Sequence, residues 1–206
     1  AVDEGTAEKA LSLIDVEYEV LPAVFDAEAA MKPGAPRIHN AMNNIGVMLP
    51  AQFGDAERAL KESDYVREDT FVLPSAAHAA LEPHVCVGQY EVTTHRITLW
   101  ASTQAPFKIR EAMAKVLKME AADIRVIKLN VGGGFGGKLE MFPMDLAACL
   151  LSKNAGGAPV KIECTRQEVF GATRRKHPMI YKLKSGVKKD GTITAITGEV
   201  IADGGA

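Results

Sequence analysis

Five glycines within six positions make up the part of this sequence with the clearest chemical potential. They lie in residues 132–138, which have the sequence Gly-Gly-Gly-Phe-Gly-Gly-Lys and are called the glycine loop below. Glycine admits positive φ angles and lets backbone N–H groups approach a partner that a Cβ atom would push away. An ordinary turn needs one or two glycines, so five indicate a ligand. Because Lys138 adds a positive charge and a helix is expected next, we predict an anionic or metal–oxo ligand.

The glycine loop also fits two phosphate-binding patterns in part. Its spacing satisfies G-x-G-x-x-G, the dinucleotide fingerprint, although Glu163 lies later than the acidic residue expected about 20 positions on. It also satisfies G-x-x-x-x-G-K, but Leu139 stands where a P-loop needs Ser or Thr to bind magnesium. The P-loop hypothesis therefore fails on chemistry. An NAD-dependent dehydrogenase domain stays open as an alternative, and it requires a parallel βαβ unit across residues 124–163.

Strands and helices alternate around the glycine loop and must position it. The hydrophobic pattern predicts strands at 66–73, 85–92, 96–101, 124–131 and 160–163, and helices at 55–61, 106–117 and 143–153. The polar segment 93–95 joins two of these strands and indicates a hairpin. Two further strands, at 179–187 and 193–201, flank an Asp-Gly turn, which is a second hairpin signal. The sequence therefore predicts an α+β fold with mixed sheets, hairpins and packed helices.

The start of the chain has a pattern of its own. It predicts a helix, a strand at 15–21 with alternating apolar residues, and a second, short helix. Residues 33–51 contain prolines, glycines and asparagines without a sustained period, and we interpret them as a linker. The predicted organisation is therefore residues 1–32 as the tail of one domain, the linker 33–51, and a second domain over 52–206.

The composition excludes several classes of protein. The 206 residues are 47% hydrophobic and 24% charged with a formal net charge of −2, which is typical of a soluble globular protein. A near-neutral chain has no electrostatic attraction for nucleic acid, and no apolar stretch reaches the ~18 residues of a membrane span. The three cysteines lie far apart and form no C-x-x-C pair, so neither a disulfide framework nor a cysteine-bound cluster is indicated. We expect a cytoplasmic protein.

Several motifs, in order, resemble one family. They are Leu-Glu-Pro-His at 81–84, Trp-Ala-Ser-Thr-Gln-Ala-Pro at 100–106, the glycine loop, Thr-Arg-Arg-Lys-His-Pro at 173–178 and Asp-Gly-Thr at 190–192. In this order and spacing they resemble the molybdopterin-binding subunit of the molybdenum hydroxylases, the relatives of xanthine dehydrogenase and aldehyde oxidase. The resemblance covers roughly residues 52–206, and residues 1–32 resemble the tail of the preceding α/β hammerhead-like domain. Because both chain ends fall beside predicted elements, we expect a fragment of a longer polypeptide.

The resemblance implies a set of site residues. Gln104 would donate a hydrogen bond to an oxygen on molybdenum, as a neutral amide that does not compete as a metal ligand. The backbone of Gly133, Gly134 and Gly136 would approach the metal and the pterin, and Phe135 would form a wall of the substrate pocket. Molybdenum would have no direct protein ligand here, because the pterin holds it. The alternatives are that Gln104 caps the following helix and that Phe135 is an ordinary core residue.

Other residues bear on the substrate and on the neighbourhood of the site. Glu82 and His84 would either shape the loops near the cofactor or form a structural pair. Family members that hydroxylate purines carry a glutamate directly after the loop lysine, whereas this chain has Leu139 there and Glu140 one place later. The departure disfavours xanthine and favours another aromatic heterocycle, an aldehyde or, in a reductive relative, an aromatic thioester.

The resemblance also implies the reaction and its partners. It implies oxidative hydroxylation, or reductive dehydroxylation, with water as the oxygen source and electrons passing to iron–sulfur clusters, with or without FAD, on partner domains or subunits. The family's catalytic glutamate lies beyond residue 206, so we predict that these 206 residues alone are inactive. A third hypothesis is a non-catalytic interaction module that has lost its partner segments.

Overall fold

A computed structural model describes residues 1–38 and 43–204. Its helices are α1 (Glu4–Leu11), α2 (Ala27–Ala30), α3 (Ala56–Lys61), α4 (Pro106–Leu117), α5 (Pro143–Asn154) and α6 (Arg166–Ala172). Its strands are β1 (Tyr65–Leu73), β2 (Ala76–Ala77), β3 (Val85–Glu91), β4 (Arg96–Ala101), β5 (Ile124–Lys128), β6 (Val160–Glu163), β7 (Arg175–Lys176), β8 (Met179–Val187) and β9 (Ile193–Ala202). Residues 39–42 of the predicted linker and residues 205–206 of the predicted second domain lie outside the described residues.

The chain forms two compact units, Phe71–Ile180 and Ala1–Thr70 with Tyr181–Ala206. The α+β prediction is confirmed, since helices and mixed sheets are interleaved along the chain. The predicted domain boundaries after residues 32 and 51 stay a prediction. Within the described part of the chain, no helix has the length and apolar character needed to cross a bilayer.

The unit Phe71–Ile180 is built on a four-stranded sheet of order β5-β4-β3-β6. β3 and β4 form the predicted antiparallel hairpin, in which Gly88 lies opposite Leu99. β6 pairs antiparallel with β3, whereas β5 pairs parallel with β4, so that Ala101 lies opposite Lys128. The parallel pair is possible because α4 crosses over between β4 and β5.

Helices α4 and α5 cover one face of this sheet. Alternate residues of β3 and β4 are buried, as expected for strands with one covered face. The core consists of Cys86, Tyr90, Ile97, Leu99, Ala101, Ile109, Met113, Ile124, Ala148 and Cys149. Gly88 is required where α5 crosses β3, because a Cβ there would lie 2.6 Å from the backbone carbon of Ala148 and the backbone nitrogen of Cys149.

The other unit contains most of a three-stranded sheet of order β1-β8-β9. The turn between β8 and β9 closes with a hydrogen bond from Lys188 N to Thr192 O of 2.8 Å, and Gly191 adopts a φ of 89° there. The predicted strand at 15–21 is wrong: the chain there has no strand assignment, and the side chains of Tyr18 and Val20 are largely exposed. Alternation of apolar residues predicts a strand only where another strand supplies hydrogen bonds, and none in the described residues pairs with this segment.

Candidate functional site

The glycine loop and residues 102–104 lie side by side at one edge of the four-stranded sheet. β4 and β5 are neighbouring parallel strands, so the residues that follow them leave the sheet at the same edge. The pairing continues beyond β5, since Leu129 N donates to Ala101 O over 3.2 Å. The segment before β3 reaches the same edge, where Glu82 N donates to Gly132 O over 3.2 Å. Three of the motifs singled out in the sequence therefore meet at one place.

The Gln104 side chain is fixed by the glycine loop. Its Oε1 accepts hydrogen bonds from Gly136 N and Lys138 N, each 3.2 Å long. Because two backbone donors occupy the carbonyl oxygen, the amide orientation is set and Nε2 carries both free hydrogens. The side chain is exposed, and Nε2 has no acceptor among the described residues. The helix-cap alternative is not observed, since α4 follows Ala105 without any side-chain cap.

Gly134 must be glycine because Gln104 occupies the space of its side chain. A Cβ at Gly134 would lie 2.5 Å from Gln104 Oε1 and 2.6 Å from its Cδ. The φ of Gly134 is not in the left-handed region, so its requirement is one of space and not of conformation. The side chain of Gln104 and the bare backbone of Gly134 therefore fit together as one surface.

Phe135 stands out of the loop on a strained backbone. Its φ is 51°, a left-handed value that a bulky residue rarely adopts, and two nearby glycines also have positive φ, Gly133 at 99° and Gly136 at 88°. Its side chain is 72% exposed, so the alternative of an ordinary core phenylalanine is wrong. The ring lies beside Gly133, since a Cβ there would come within 3.0 Å of Phe135 Cε2. The loop thus presents an aromatic ring next to bare backbone.

The middle of the glycine loop offers hydrogen-bond donors without partners. In the described part of the chain, the N–H groups of Gly133, Gly134 and Phe135 donate to no protein acceptor, although Gly134 is a buried residue. A buried backbone donor without a partner, as at Gly134, is uncommon, and the more exposed donors of Gly133 and Phe135 are open to water or to a ligand. Three backbone N–H groups beside a free amide NH₂ fit a group rich in oxygen or sulfur, with the polarity of a molybdopterin cofactor.

Lys138 does not contribute its charge to this surface, which corrects the sequence prediction. Its side chain is 1% exposed and turned inward. The ammonium nitrogen lies 2.7 Å from Glu82 Oε2, 3.1 Å from Glu82 O, 3.2 Å from Pro83 O and 2.9 Å from Ser102 Oγ. The N-terminus of α5 is not at the loop either, because α5 begins at Pro143, as predicted, after four intervening residues. The ligand surface is therefore formed by neutral dipoles.

Glu82 binds the start of the glycine loop. Its Oε2 accepts hydrogen bonds from Lys138 Nζ at 2.7 Å, from Gly132 N at 2.8 Å and from Ser102 Oγ. Partial burial alone would raise the pKa of Glu82, but these three hydrogen bonds outweigh burial and hold the pKa below its ordinary value. Glu82 is therefore a carboxylate at neutral pH. Its partner is Lys138 and not His84, so the alternative of a Glu82–His84 pair is not observed.

His84 holds the other end of the loop. It is 8% exposed, its Nε2 donates to Gly137 O over 3.1 Å, and its ring meets Phe142 edge-on at a centroid distance of 4.6 Å. Nδ1 is buried without a hydrogen-bond partner among the described residues. Burial lowers the pKa of His84, which is consistent with a neutral ring that donates through Nε2.

The sequence identifies most of these residues but does not show which of them contact one another. The contact between Glu82 and Lys138 spans 56 positions, and no local spacing rule joins a carboxylate to a lysine at that distance. Ser102 belongs to the motif at 100–106, but the sequence alone assigns it no role. The signal that was available is the order of the motifs on successive strands, which places their ends at one edge of the sheet.

The strand order does not favour the dinucleotide alternative. β5 and β6, which flank the glycine loop and α5, are separated in the sheet by β4 and β3. Residues 124–163 therefore do not form the adjacent parallel βαβ unit that the fingerprint requires.

Comparison with known proteins agrees with this geometry. Residues 38–206 match the family described as the molybdopterin cofactor-binding domain. The chain is 35% identical over 206 residues to the xanthine dehydrogenase molybdenum-binding subunit of Escherichia coli O157:H7. The aligned region covers 100% of this chain and 27% of that protein. It is 34% identical over 199 residues to the nicotinate dehydrogenase large molybdopterin subunit of Eubacterium barkeri. There the aligned region covers 97% of this chain and 46% of that protein.

The fold is also found in solved structures. The crystal structure of quinoline 2-oxidoreductase from Pseudomonas putida 86 superposes with a TM-score of 0.83 at 30% sequence identity, over 97% of this chain and 25% of that chain. This chain therefore corresponds to between a quarter and a half of the length of these three proteins.

Proposed function

The chain belongs to the molybdopterin cofactor-binding domain family, and from this we infer that it is part of the molybdenum-cofactor subunit of a molybdenum hydroxylase. In this proposal the edge of the sheet at β4 and β5 binds the molybdenum cofactor. When bound, the cofactor supplies the two-electron oxidation or reduction of an electrophilic carbon. The residues of this chain bind and orient the cofactor and one side of the substrate.

The observation that carries the proposal is the free amide of Gln104. Its carbonyl oxygen is held by Gly136 N and Lys138 N, so its NH₂ group is left as a fixed and exposed donor. A donor held by two hydrogen bonds is preorganised for one acceptor position and loses little entropy when the acceptor arrives. Gln104 thereby serves as a neutral donor to an oxygen of the cofactor.

The loop amides extend the same surface. The N–H groups of Gly133, Gly134 and Phe135 are further donors for the cofactor beside Gln104. The side-chain positions of Gly133 and Gly134 are filled by Phe135 and Gln104, so these two glycines let the loop backbone pack directly against those side chains. Gly136 contributes differently, because its N–H is already used to hold Gln104.

Phe135 and the residues after the loop bear on the substrate. The exposed ring of Phe135 offers a flat apolar face, which suits stacking with an aromatic substrate. Leu139 is apolar and 38% exposed, and the Glu140 carboxylate is paired with Arg174 at 2.7 Å. Neither side chain provides the free carboxylate that would hydrogen-bond a purine. This supports an aromatic heterocycle other than xanthine, an aldehyde or an aromatic thioester as the substrate class.

The electrons and the remaining contacts come from outside these residues. Iron–sulfur clusters, with or without FAD, on partner domains or subunits take up or supply the electrons. The 206 residues alone are expected to be inactive, because the relatives are two to four times longer.

The proposal is tested on the full-length protein purified with its native partners. We expect near-stoichiometric molybdenum by elemental analysis, together with pterin fluorescence after oxidation. A protein with intact iron–sulfur clusters and neither molybdenum nor pterin would refute the proposal.

A substitution at Gln104 tests the observation itself. Gln104→Ala removes the preorganised donor, and we expect turnover per bound molybdenum to fall on the order of 100-fold, as for other preorganised donors. The matched control is Gln167→Ala, which removes an exposed glutamine on α6 and should leave turnover unchanged. Equal turnover in the two variants would show that Gln104 does not act on the cofactor.

A further inference from the structure

We propose that Glu82 is a positioning residue for the Gln104 amide, acting through the buried ammonium group of Lys138. The inference rests on the proposed function above, in which Gln104 binds the cofactor. Glu82 makes no hydrogen bond to Gln104 in the described structure, since its Oε2 accepts instead from Lys138 Nζ, Gly132 N and Ser102 Oγ.

The ammonium group of Lys138 depends on Glu82 for its charge balance. The side chain of Lys138 is almost completely buried, and water does not solvate it. Of the four oxygens around Nζ in the described structure, the two carbonyls and the Ser102 hydroxyl are neutral, and Glu82 Oε2 alone carries a negative charge. A buried cation without a counter-charge is strongly unfavourable, so Lys138 keeps its inward position only while Glu82 is ionised.

The backbone of Lys138 in turn sets the position of Gln104. Lys138 N donates to Gln104 Oε1 over 3.2 Å, and Lys138 O accepts from Gln104 N over 2.9 Å. Thr103 Oγ1 donates to the same carbonyl over 3.1 Å. A rotation of Lys138 would therefore displace both the main chain and the side chain of Gln104.

Glu82 also fixes the start of the glycine loop. The same Oε2 atom that binds the ammonium group accepts from Gly132 N, and Glu82 N donates to Gly132 O. One residue thus holds the loop at Gly132 through its own backbone and at Lys138 through an ion pair. The orphaned amides of Gly133 and Gly134 lie between these two anchors.

A role in stability alone would not require this arrangement. Buried ion pairs are often no more stabilising than apolar residues of similar volume, and their best-attested use is to specify one geometry. An apolar or neutral pair at positions 82 and 138 could fill the same space. Such a pair would not hold the loop at Gly132 and at Lys138 as Glu82 does. This difference separates a positioning role from a structural one.

The test compares the full-length, partner-bound wild type with Glu82→Gln and with Glu82→Gln/Lys138→Met. We expect Glu82→Gln to lower both the thermal midpoint and the molybdenum content, the latter by roughly tenfold, as for residues that orient a ligand of a metal site. In the double variant the unpaired buried charge is gone. We therefore expect the thermal midpoint to recover while the molybdenum content stays low and the Mo(V) electron paramagnetic resonance spectrum of the loaded fraction stays altered.

A structural role predicts the opposite result for the double variant. Recovery of the thermal midpoint, the molybdenum content and the Mo(V) spectrum together would overturn the inference. The matched control is Glu163→Gln, which breaks the exposed Lys161–Glu163 pair of 2.6 Å and should behave as wild type. Absence of molybdenum and pterin from the wild type would refute the proposed function instead, so the two failures are distinguishable.

Glu82→Asp keeps the inference testable if the double variant does not fold. It retains the charge that Lys138 needs but withdraws the carboxylate by one methylene from Gly132 N. We expect a folded protein with reduced molybdenum content and an altered Mo(V) spectrum. Wild-type values of both would overturn the inference.

Discussion

At the scale of single residues, the site depends on the absence of a side chain at Gly134 as much as on the side chain of Gln104. Gly134 leaves room for the Gln104 amide, and Gln104 in turn covers Gly134. The contact is made by an exposed side chain, held by two hydrogen bonds, on one side and by bare backbone on the other. A change at this point should therefore disturb the placement of the amide more than the stability of the fold.

The substitution Gly134→Ala tests this relation. The new Cβ would lie 2.5 Å from Gln104 Oε1, and the side chain would have to turn away and give up its hydrogen bonds from Gly136 N and Lys138 N. We expect a fall in molybdenum content, measured by elemental analysis, with a thermal midpoint close to that of wild type.

Gly171→Ala is the control for Gly134→Ala. Gly171 lies in α6 and has no atom within 4 Å of an added Cβ, so its replacement should change neither quantity or should stabilise slightly. A Gly134→Ala protein with wild-type molybdenum content would contradict the close fit between Gly134 and Gln104.

The sequence predicted the residues of this surface better than their partners. The glycine loop was identified because five glycines are unusual for a turn, and Gln104 because its motif resembles that of a known family. The direction of Lys138 was mispredicted, because a lysine in a glycine-rich segment is attracted equally by a bound anion and by a buried carboxylate. Only the fold decides between them, through Glu82, which lies 56 positions away.

At the scale of elements, the parallel pairing of β4 with β5 creates the site. It brings the residues after both strands to one edge of the sheet, and α5 holds the sheet from one face. The packing of α5 on β3 is close at Gly88, where an added Cβ would lie 2.6 Å from two backbone atoms and 2.9 Å from Cys149 Sγ. In contrast to the contact at Gly134, the backbone atoms at this contact cannot rotate away.

We therefore expect Gly88→Ala to lower stability. Helix α5 would have to move as a body to relieve contacts of 2.6 Å with Ala148 and Cys149. The expected loss is about 1–3 kcal/mol, typical of overpacking in a core. It is measured as a lower midpoint of thermal unfolding of the full-length protein, and an unchanged midpoint in Gly88→Ala would contradict the close approach of α5.

Elements with a strong pattern were predicted closely, and those without one were missed. The bounds of β4, α4, β6 and β8 agree with the sequence prediction, since Pro106 and the alternating apolar residues mark them locally. β2 and β7 contain two residues each and carry no pattern of their own. They form through pairing between distant segments, which a local rule does not detect.

At the scale of the whole molecule, two titratable groups, His84 and Glu82, link stability to pH in different ranges. In the folded protein, burial lowers the pKa of His84 below its ordinary value of 6.5, so the unfolded chain binds the proton more readily. Stability therefore falls as the pH falls below about 6.5 toward the lowered pKa. Glu82, whose pKa is lowered from 4.5, keeps its contribution above that pH and loses it only as the pH falls through the lowered value.

His84→Gln isolates the first of these two ranges. Glutamine keeps an N–H donor for Gly137 O but does not titrate. We expect the thermal midpoint of wild type to fall between about pH 7 and pH 5.5 by more than that of the variant, with a slope of at most about 1.4 kcal/mol per pH unit in stability. Above about pH 7.5 the two proteins should run parallel, because the ring is neutral in both states. Equal slopes throughout would show that His84 does not couple folding to protons.

The antiparallel hairpin of β3 and β4 has a practical consequence for attaching the protein to an electrode. Its turn, residues 92–95, lies at the end of the sheet remote from the glycine loop, and the seven residues of β3 separate the two ends by about 24 Å. Thr93 is exposed there, whereas Cys86 and Cys149 are buried and Cys164 is half-buried. A thiol introduced as Thr93→Cys would thus be the most reactive one in this part of the chain, and would attach the molecule to a gold electrode at a point far from the surface that we propose binds the molybdenum cofactor.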